Sequence, residues 1–149
     1  MNTEVAKLSN KDLSKFQDLI LIFEDVFELE DFKLPPESHL QSLLDRENFL
    51  VFVAMNLGKV IGGITLHVLP QYYSESPEAY LYDLAVKTEF QRKGIGKELM
   101  NEVKNYCKQV GIETAYVQAD VEDDHAVAFY NATGGSPQKV IHFNYPTSE

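Results

Sequence analysis

The sequence predicts a single α/β domain over residues 1–149, built on a mixed sheet in the order β-α-α-β-β-β-α-β-α-β. Three observations predict it. Runs rich in β-branched and aromatic residues alternate with segments whose apolar residues recur at helical spacing. Glycine or proline punctuates the junctions at 35, 36, 58, 94, 111, 134 and 135. The length of 149 residues suits one core, in which roughly 70% of the unfolded surface is buried.

TEVAKL at 3–8 alternates as a first strand. Leu13, Phe16, Leu19, Ile20, Phe23 and Phe27 then form a helical stripe behind a Ser9 or Asn10 cap, followed by the acids Glu24, Asp25, Glu28, Glu30 and Asp31. Pro35 and Pro36 end that element and open a short helix through Leu40, Leu43 and Leu44. NFLVFVAMN (48–56) and KVIGGITLHVL (59–69), separated by Leu57 and Gly58, read as a hairpin. AYLYDLAV (79–86) is apolar on both faces apart from Asp83 and reads as a central strand. A stripe of Ile95, Leu99, Val103, Tyr106, Cys107 and Val110 predicts a helix that stops at Gly111. ETAYVQAD (113–120) is the next strand. DDHAVAFYNATGG reads as a short helix with an Asp cap and a glycine stop, and PQKVIHFNYP as a last strand.

Composition excludes several classes. A net charge of -10 opposes general nucleic-acid binding, whose affinity comes from neutralising phosphates, and suits cationic partners. No stretch nears the ~20 apolar residues that span a bilayer. The N-terminus lacks the pattern of a signal peptide, and the single cysteine fits the cytosol, so a cytoplasmic location is expected. His39, His67, His125 and His142 show no metal-ligand spacing, so no metal is expected.

Against that acidic background, "EFQRKGIGKEL" (89–99) gathers Arg92, Lys93 and Lys97 around Gly94 and Gly96 at the mouth of a helix. Helix-start amides lack partners and the helix dipole favours an anion there, so the segment reads as a phosphate cradle. A dinucleotide fold needs a third glycine, and a P-loop needs four residues between its glycines. An ordinary strand-to-helix turn with solvated lysines is the bland alternative.

Q-x-x-G-x-G between an apolar strand and an amphipathic helix, followed by a strand and then A-x-x-F-Y, resembles the GNAT acetyltransferase superfamily. More narrowly, "VLPQYY…YLYDLAV…QRKGIG", "YVQADVEDDHAVAFY" and "VIHF" are similar to the type I aminoglycoside 3-N-acetyltransferases. His125 stands where those enzymes tend to have proline, and Asn144 where they tend to have an acid. The resemblance implies a largely antiparallel sheet that splays beside Ala85 and Val86, acetyl-CoA as cosubstrate, and in many relatives a homodimer. It places phosphate contacts on Gln91, Arg92, Lys93, Gly94, Ile95, Gly96 and Lys97, and pantetheine and thioester contacts on Leu84, Ala85 and Val86. Tyr130 matches the tyrosine that reaches the coenzyme sulfur. A phenol of pKa about 10 protonates a thiolate whose conjugate acid is near 8.5 downhill only where its surroundings lower the phenol, and a hydrogen bond to the sulfur is the alternative.

Asp83 interrupts an apolar strand, and a buried carboxylate needs a partner: a substrate ammonium, a relaying water, or a bond within the sheet. Asp120 ends the next strand and is a second site for the amine, with loop capping as its alternative. Asp123 begins the last helix and is a further candidate for binding the substrate's amines, with capping as its default role. Glu28 and Asp31 border the acceptor if the resemblance holds, or form a solvated face. Tyr72 and Tyr73 either offer flat surfaces to sugar rings or pack in their loop. Cys107, in the core stripe, reads as filler.

The expected activity is acetyl transfer from acetyl-CoA to an amine of a polycationic small molecule, foremost the 3-amino group of an aminoglycoside, a role in antibiotic resistance. A polyamine, amino acid or protein amine as acceptor, or a coenzyme A-binding module without turnover, are the alternatives.

Overall fold

The computed structural model describes residues 2–148. Two compact units divide the chain, Met1–Gln118 and Ala119–Glu149. The first holds a five-stranded sheet in the order β1-β2-β3-β4-β5, with β1 Thr3–Lys7, β2 Phe49–Asn56, β3 Lys59–Leu69, β4 Glu78–Val86 and β5 Thr114–Val117. All neighbours pair antiparallel except β4 and β5, which run parallel. Helices α1 (Leu13–Val26), α2 (Glu37–Leu44) and α3 (Ile95–Val110) belong to this unit, and α4 (Asp124–Ala132) to the second.

The apolar spacing decides which face each helix covers. Phe16, Leu19, Ile22 and Phe23 of α1 and Leu40 of α2 pack on Phe49, Val51, Val53 and Met55 of β2. The alternate β2 residues Leu50, Phe52 and Ala54 meet Ile95, Leu99, Val103 and Cys107 of α3 on the other face. β2 and β3 are therefore buried on both sides and form the middle of the sheet. The expected central strand, β4, lies one place further out, and its Tyr82 is exposed.

Local chemistry fixes the ends. Ser9 and Asn10 do not cap α1. The N-cap is Asp12, whose carboxylate accepts from the Ser9 amide at 2.8 Å and the Ser9 hydroxyl at 3.1 Å. Leu57 and Gly58 have φ of 52° and 77°, the two positive values of a type I′ hairpin turn. Gly111, at φ 82°, closes α3 with the Ile112 amide donating back to the Cys107 carbonyl at 2.8 Å.

The expected last strand is absent. Residues 136–148 form no strand, and Val140, Ile141, Phe143 and Tyr145 are exposed. Strand-like composition cannot by itself supply a ladder partner, and none pairs with this run among the described residues.

Gly62 and Gly63 of β3 let neighbouring elements close onto the sheet. A Cβ on Gly63 would stand 2.6 Å from the Phe52 carbonyl oxygen and 2.7 Å from the fully buried Leu19. Replacing Gly63 with Ala should cost about 1–3 kcal/mol, the usual penalty of overpacking. An unchanged urea midpoint would show that α1 is not seated through this glycine.

Candidate active site

The parallel ladder between β4 and β5 covers only Glu78–Leu81 against Thr114–Val117. β4 continues for five more residues, Tyr82–Val86, with no strand beside that edge among the described residues. The ladder therefore stops before Leu84–Val86, the stretch beside which the resemblance implies a splay. Leu84 and Val86 turn toward the α3 side and Ala85 toward the α1 side.

From Val86 the chain passes through a short 3-10 turn (Thr88–Phe90) into α3. Gly94 is the N-cap at φ 82°, and no side chain caps this start. The first intrahelical bond runs from the Glu98 amide to the Gly94 carbonyl at 3.0 Å, so the Ile95, Gly96 and Lys97 amides have no acceptor inside the helix. Space is open where a Gly94 Cβ would sit, so glycine is required there for its conformation. Arg92 also takes a positive φ of 61°. Arg92, Lys93 and Lys97 are exposed, and none joins an ion pair among the described residues. Lys93 lies 5.7 Å from the Phe90 ring centroid. Gln91 has a structural task, since its side-chain amide donates to the Val86 carbonyl at 2.9 Å and ties the loop to the strand end. Unpaired amides, a helix N-terminus and exposed cations without ion pairs suit a diphosphate.

A β-bulge determines where Asp83 points. Thr65 pairs with Asp83 and Leu66 with Leu81, which leaves Tyr82 as the extra residue. Thr65 and His67 lie two apart on one face of β3, so their partners Asp83 and Tyr80 share that face although three residues separate them. Without the bulge they would face opposite ways. The Asp83 carboxylate makes no hydrogen bond or ion pair among the described residues, so the side-chain bond within the sheet that the sequence allowed does not form. Burial pushes its carboxyl above the ordinary value of 3.8.

The residues around it were unassigned by sequence. Tyr80 stacks on Tyr116 at 4.8 Å and 13°, and its hydroxyl donates to Gln118 at 2.8 Å. Tyr82 meets Tyr80 and His67 edge-on at 5.8 and 5.7 Å. The alternation in Tyr-Leu-Tyr-Asp signalled one aromatic face; the bulge that brings Asp83 onto it left no mark in the sequence. Tyr72 and Tyr73 contact each other at 4.3 Å and are 88% and 82% exposed, so they do not pack into their loop.

Glu28 and Asp31 stand exposed in the turn after α1, with φ of 54° and 52°, and neither joins an ion pair among the described residues. Cys107 is buried, and burial raises its thiol, which fits filler.

In the second unit, Asp123 caps α4 by accepting from the Ala126 amide at 3.1 Å, its default reading. Asp120 is exposed, and its carbonyl accepts from the Asp123 amide at 3.0 Å, a loop-closing bond. Tyr130 is partly buried on α4, edge-on to Phe129 at 5.2 Å. Its carbonyl accepts from the Gly135 amide at 2.8 Å while the Gly134 amide reaches Asn131, a Schellman closure. Among the described residues no group of acids, histidines and cysteines is arranged to hold a metal, and no helix is long and apolar enough to cross a membrane.

The model of the acetyltransferase (GNAT) family matches residues 16–134, which runs through both units. An aminoglycoside acetyltransferase from an uncultured soil metagenomic sample, crystallised with sisomicin, is 46% identical with a TM-score of 0.96, covering 98% of this chain and 97% of that one. The aminoglycoside N(6')-acetyltransferase type 1 of Stenotrophomonas maltophilia is 26% identical over 116 residues, 75% of this chain and 76% of the relative. The ribosomal protein bS18-alanine N-acetyltransferase of Escherichia coli K12 is 26% identical over 72 residues, 48% of this chain and 49% of the relative. The chain thus spans about half the length of that curated relative.

Because its folded pKa is raised, Asp83 adds no penalty below its unfolded value near 3.8 and destabilises the fold as pH rises through the folded value. Asp83→Asn should therefore melt higher than wild type at pH 7, with the gap closing toward pH 3.5. A lower melting point at pH 7 would mean that the carboxylate has a stabilising partner.

Proposed function

The chain belongs to the GNAT acetyltransferase family, and on that premise we propose that it transfers acetyl from acetyl-CoA to an amine of a polycationic small molecule, an aminoglycoside. The 3-amino group is the position we assign, on the motif resemblance, against the 6' position of the Stenotrophomonas relative. The reading is carried by the loop at Gly94, where unpaired helix amides and three exposed cations that join no ion pair among the described residues stand at the end of a strand with a free edge.

Acetyl-CoA would supply the activated acetyl group. Residues 91–97 would hold its diphosphate, and the free edge of Leu84–Val86 would lie along its arm. Asp83 binds the acceptor ammonium and takes its proton directly or through a water, which a carboxyl raised by burial does more readily than an ordinary one. The amine nitrogen then bonds to the acetyl carbon as the carbon–sulfur bond breaks, and Tyr130 donates a proton to the departing sulfur. Tyr130 is reprotonated by the second proton that the acylated nitrogen sheds, while Asp83 passes the first to solvent. Asp120, Asp123, Glu28 and Asp31 supply negative charge for the remaining ammonium groups. Asp123 does so with the carboxylate that caps α4. We place this reaction in the cytoplasm, and its consequence in a cell is antibiotic resistance.

Wild-type protein should release thiol from acetyl-CoA when sisomicin is added, and NMR of the product should show the acetyl group on the 3-amino nitrogen. A 6'-acetyl product would correct the position. Release with spermidine alone would move the acceptor to polyamines. Tight coenzyme A binding without release for any amine would make the chain a binding module. In the same assay Tyr130→Phe should lower kcat about 100-fold, the scale of a lost general acid. An unchanged kcat would remove Tyr130 from the proton path.

Gly94→Ala should weaken coenzyme A binding about tenfold, since the free loop relaxes out of the left-handed start and binding must restore it at a cost of about 1–2 kcal/mol. Calorimetry giving the wild-type Kd would detach the diphosphate from this turn.

A further inference from the structure

Asp83 shares its face of the sheet with an uninterrupted line of rings. Phe49 of β2 meets His67 of β3 at 5.1 Å, His67 meets Tyr82 at 5.7 Å, Tyr82 meets Tyr80 at 5.8 Å, and Tyr80 meets Tyr116 of β5 at 4.8 Å. Tyr82 is the bulge residue and stays 58% exposed between two edge-on neighbours. An exposed ring held on both sides has little rotamer freedom left to lose when a ligand lands on it. Beside it stands a partly buried carboxylate with no protein partner.

From this juxtaposition we infer that the Tyr80–Tyr82–Tyr116 line is an acceptor platform that selects amines carried on rigid rings over linear polyamines. The inference rests on the acetyl-transfer reading of the same site. The chain's acidity alone attracts any polycation, so charge does not separate the two classes. Rings do. The apolar C–H face of an amino sugar covers an aromatic ring and excludes water from it, while its ammonium reaches the neighbouring carboxylate or the ring face. A flexible polyamine satisfies the charge but must be ordered to use the platform, and that ordering cancels the gain.

The test is calorimetry of sisomicin and of spermidine on the intact protein without acetyl-CoA, alongside KM for both in the thiol-release assay. Tyr82→Ala should weaken sisomicin binding about tenfold, equivalent to about 1.4 kcal/mol of ring contact. Spermidine should bind more weakly than sisomicin to wild type, and Tyr82→Ala should leave its binding where it was. Tyr82→Phe, which keeps the ring, should restore sisomicin affinity, and a wild-type urea midpoint in both variants confirms their folding. Equal losses for both amines, no loss for either, or wild-type protein that binds spermidine as tightly as sisomicin would each overturn the platform. The binding measurement separates this inference from its premise: selective sisomicin binding that depends on Tyr82, without thiol release, would keep the platform and dismiss the transferase.

Discussion

The four-residue overlap of β4 with β5 is the constraint on which the rest of the site depends. A longer ladder would occupy the edge of Tyr82–Val86, and the chain would arrive at α3 with its strand fully paired. Because the overlap stops at Leu81, an open strand edge and a set of unpaired helix amides follow each other within a dozen residues. Unpaired edges invite association and are usually short or blocked. This one is short, and Gln91 occupies the last carbonyl of the strand.

Such an arrangement needs stability from elsewhere. β2 and β3 supply it, each buried along nearly its whole length between α3 and the α1–α2 pair. Close approach at Gly62 and Gly63 brings β4 and α1 onto that rigid centre, so the strand carrying Asp83 is fixed although its outer edge is not. An ionised carboxylate without a protein partner is costly in a fold. The bulge places that cost on the face where a cationic ligand would relieve it.

Much of this was legible in the sequence, and the reasons are physical. The stripes of α1 and α3 repeat at the helical period over 14 and 16 residues, long enough to leave little ambiguity. Gly94 was legible because a left-handed helix start asks for glycine. Asp83 stood out as the one charge in an apolar strand. What remained hidden depends on register. A bulge inserts one residue without a sequence signature, and it alone joins Asp83 to the tyrosine face. The N-cap of α1 was misplaced because Ser9, Asn10 and Asp12 are all capping residues, and the bonds between Ser9 and Asp12 decide which leads. The final run misled for the opposite reason, since Val140, Ile141, Phe143 and Tyr145 have the composition of a strand and no ladder.

That run has a practical side. Exposed β-branched and aromatic residues with unpaired backbone form a template on which further chains can stack. Ten excess negative charges oppose such stacking, and that repulsion falls away near the sequence isoelectric point of about 4.8. Colloidal behaviour is thus coupled to acidity through a segment remote in sequence from β4, and concentrated stocks belong well above that point.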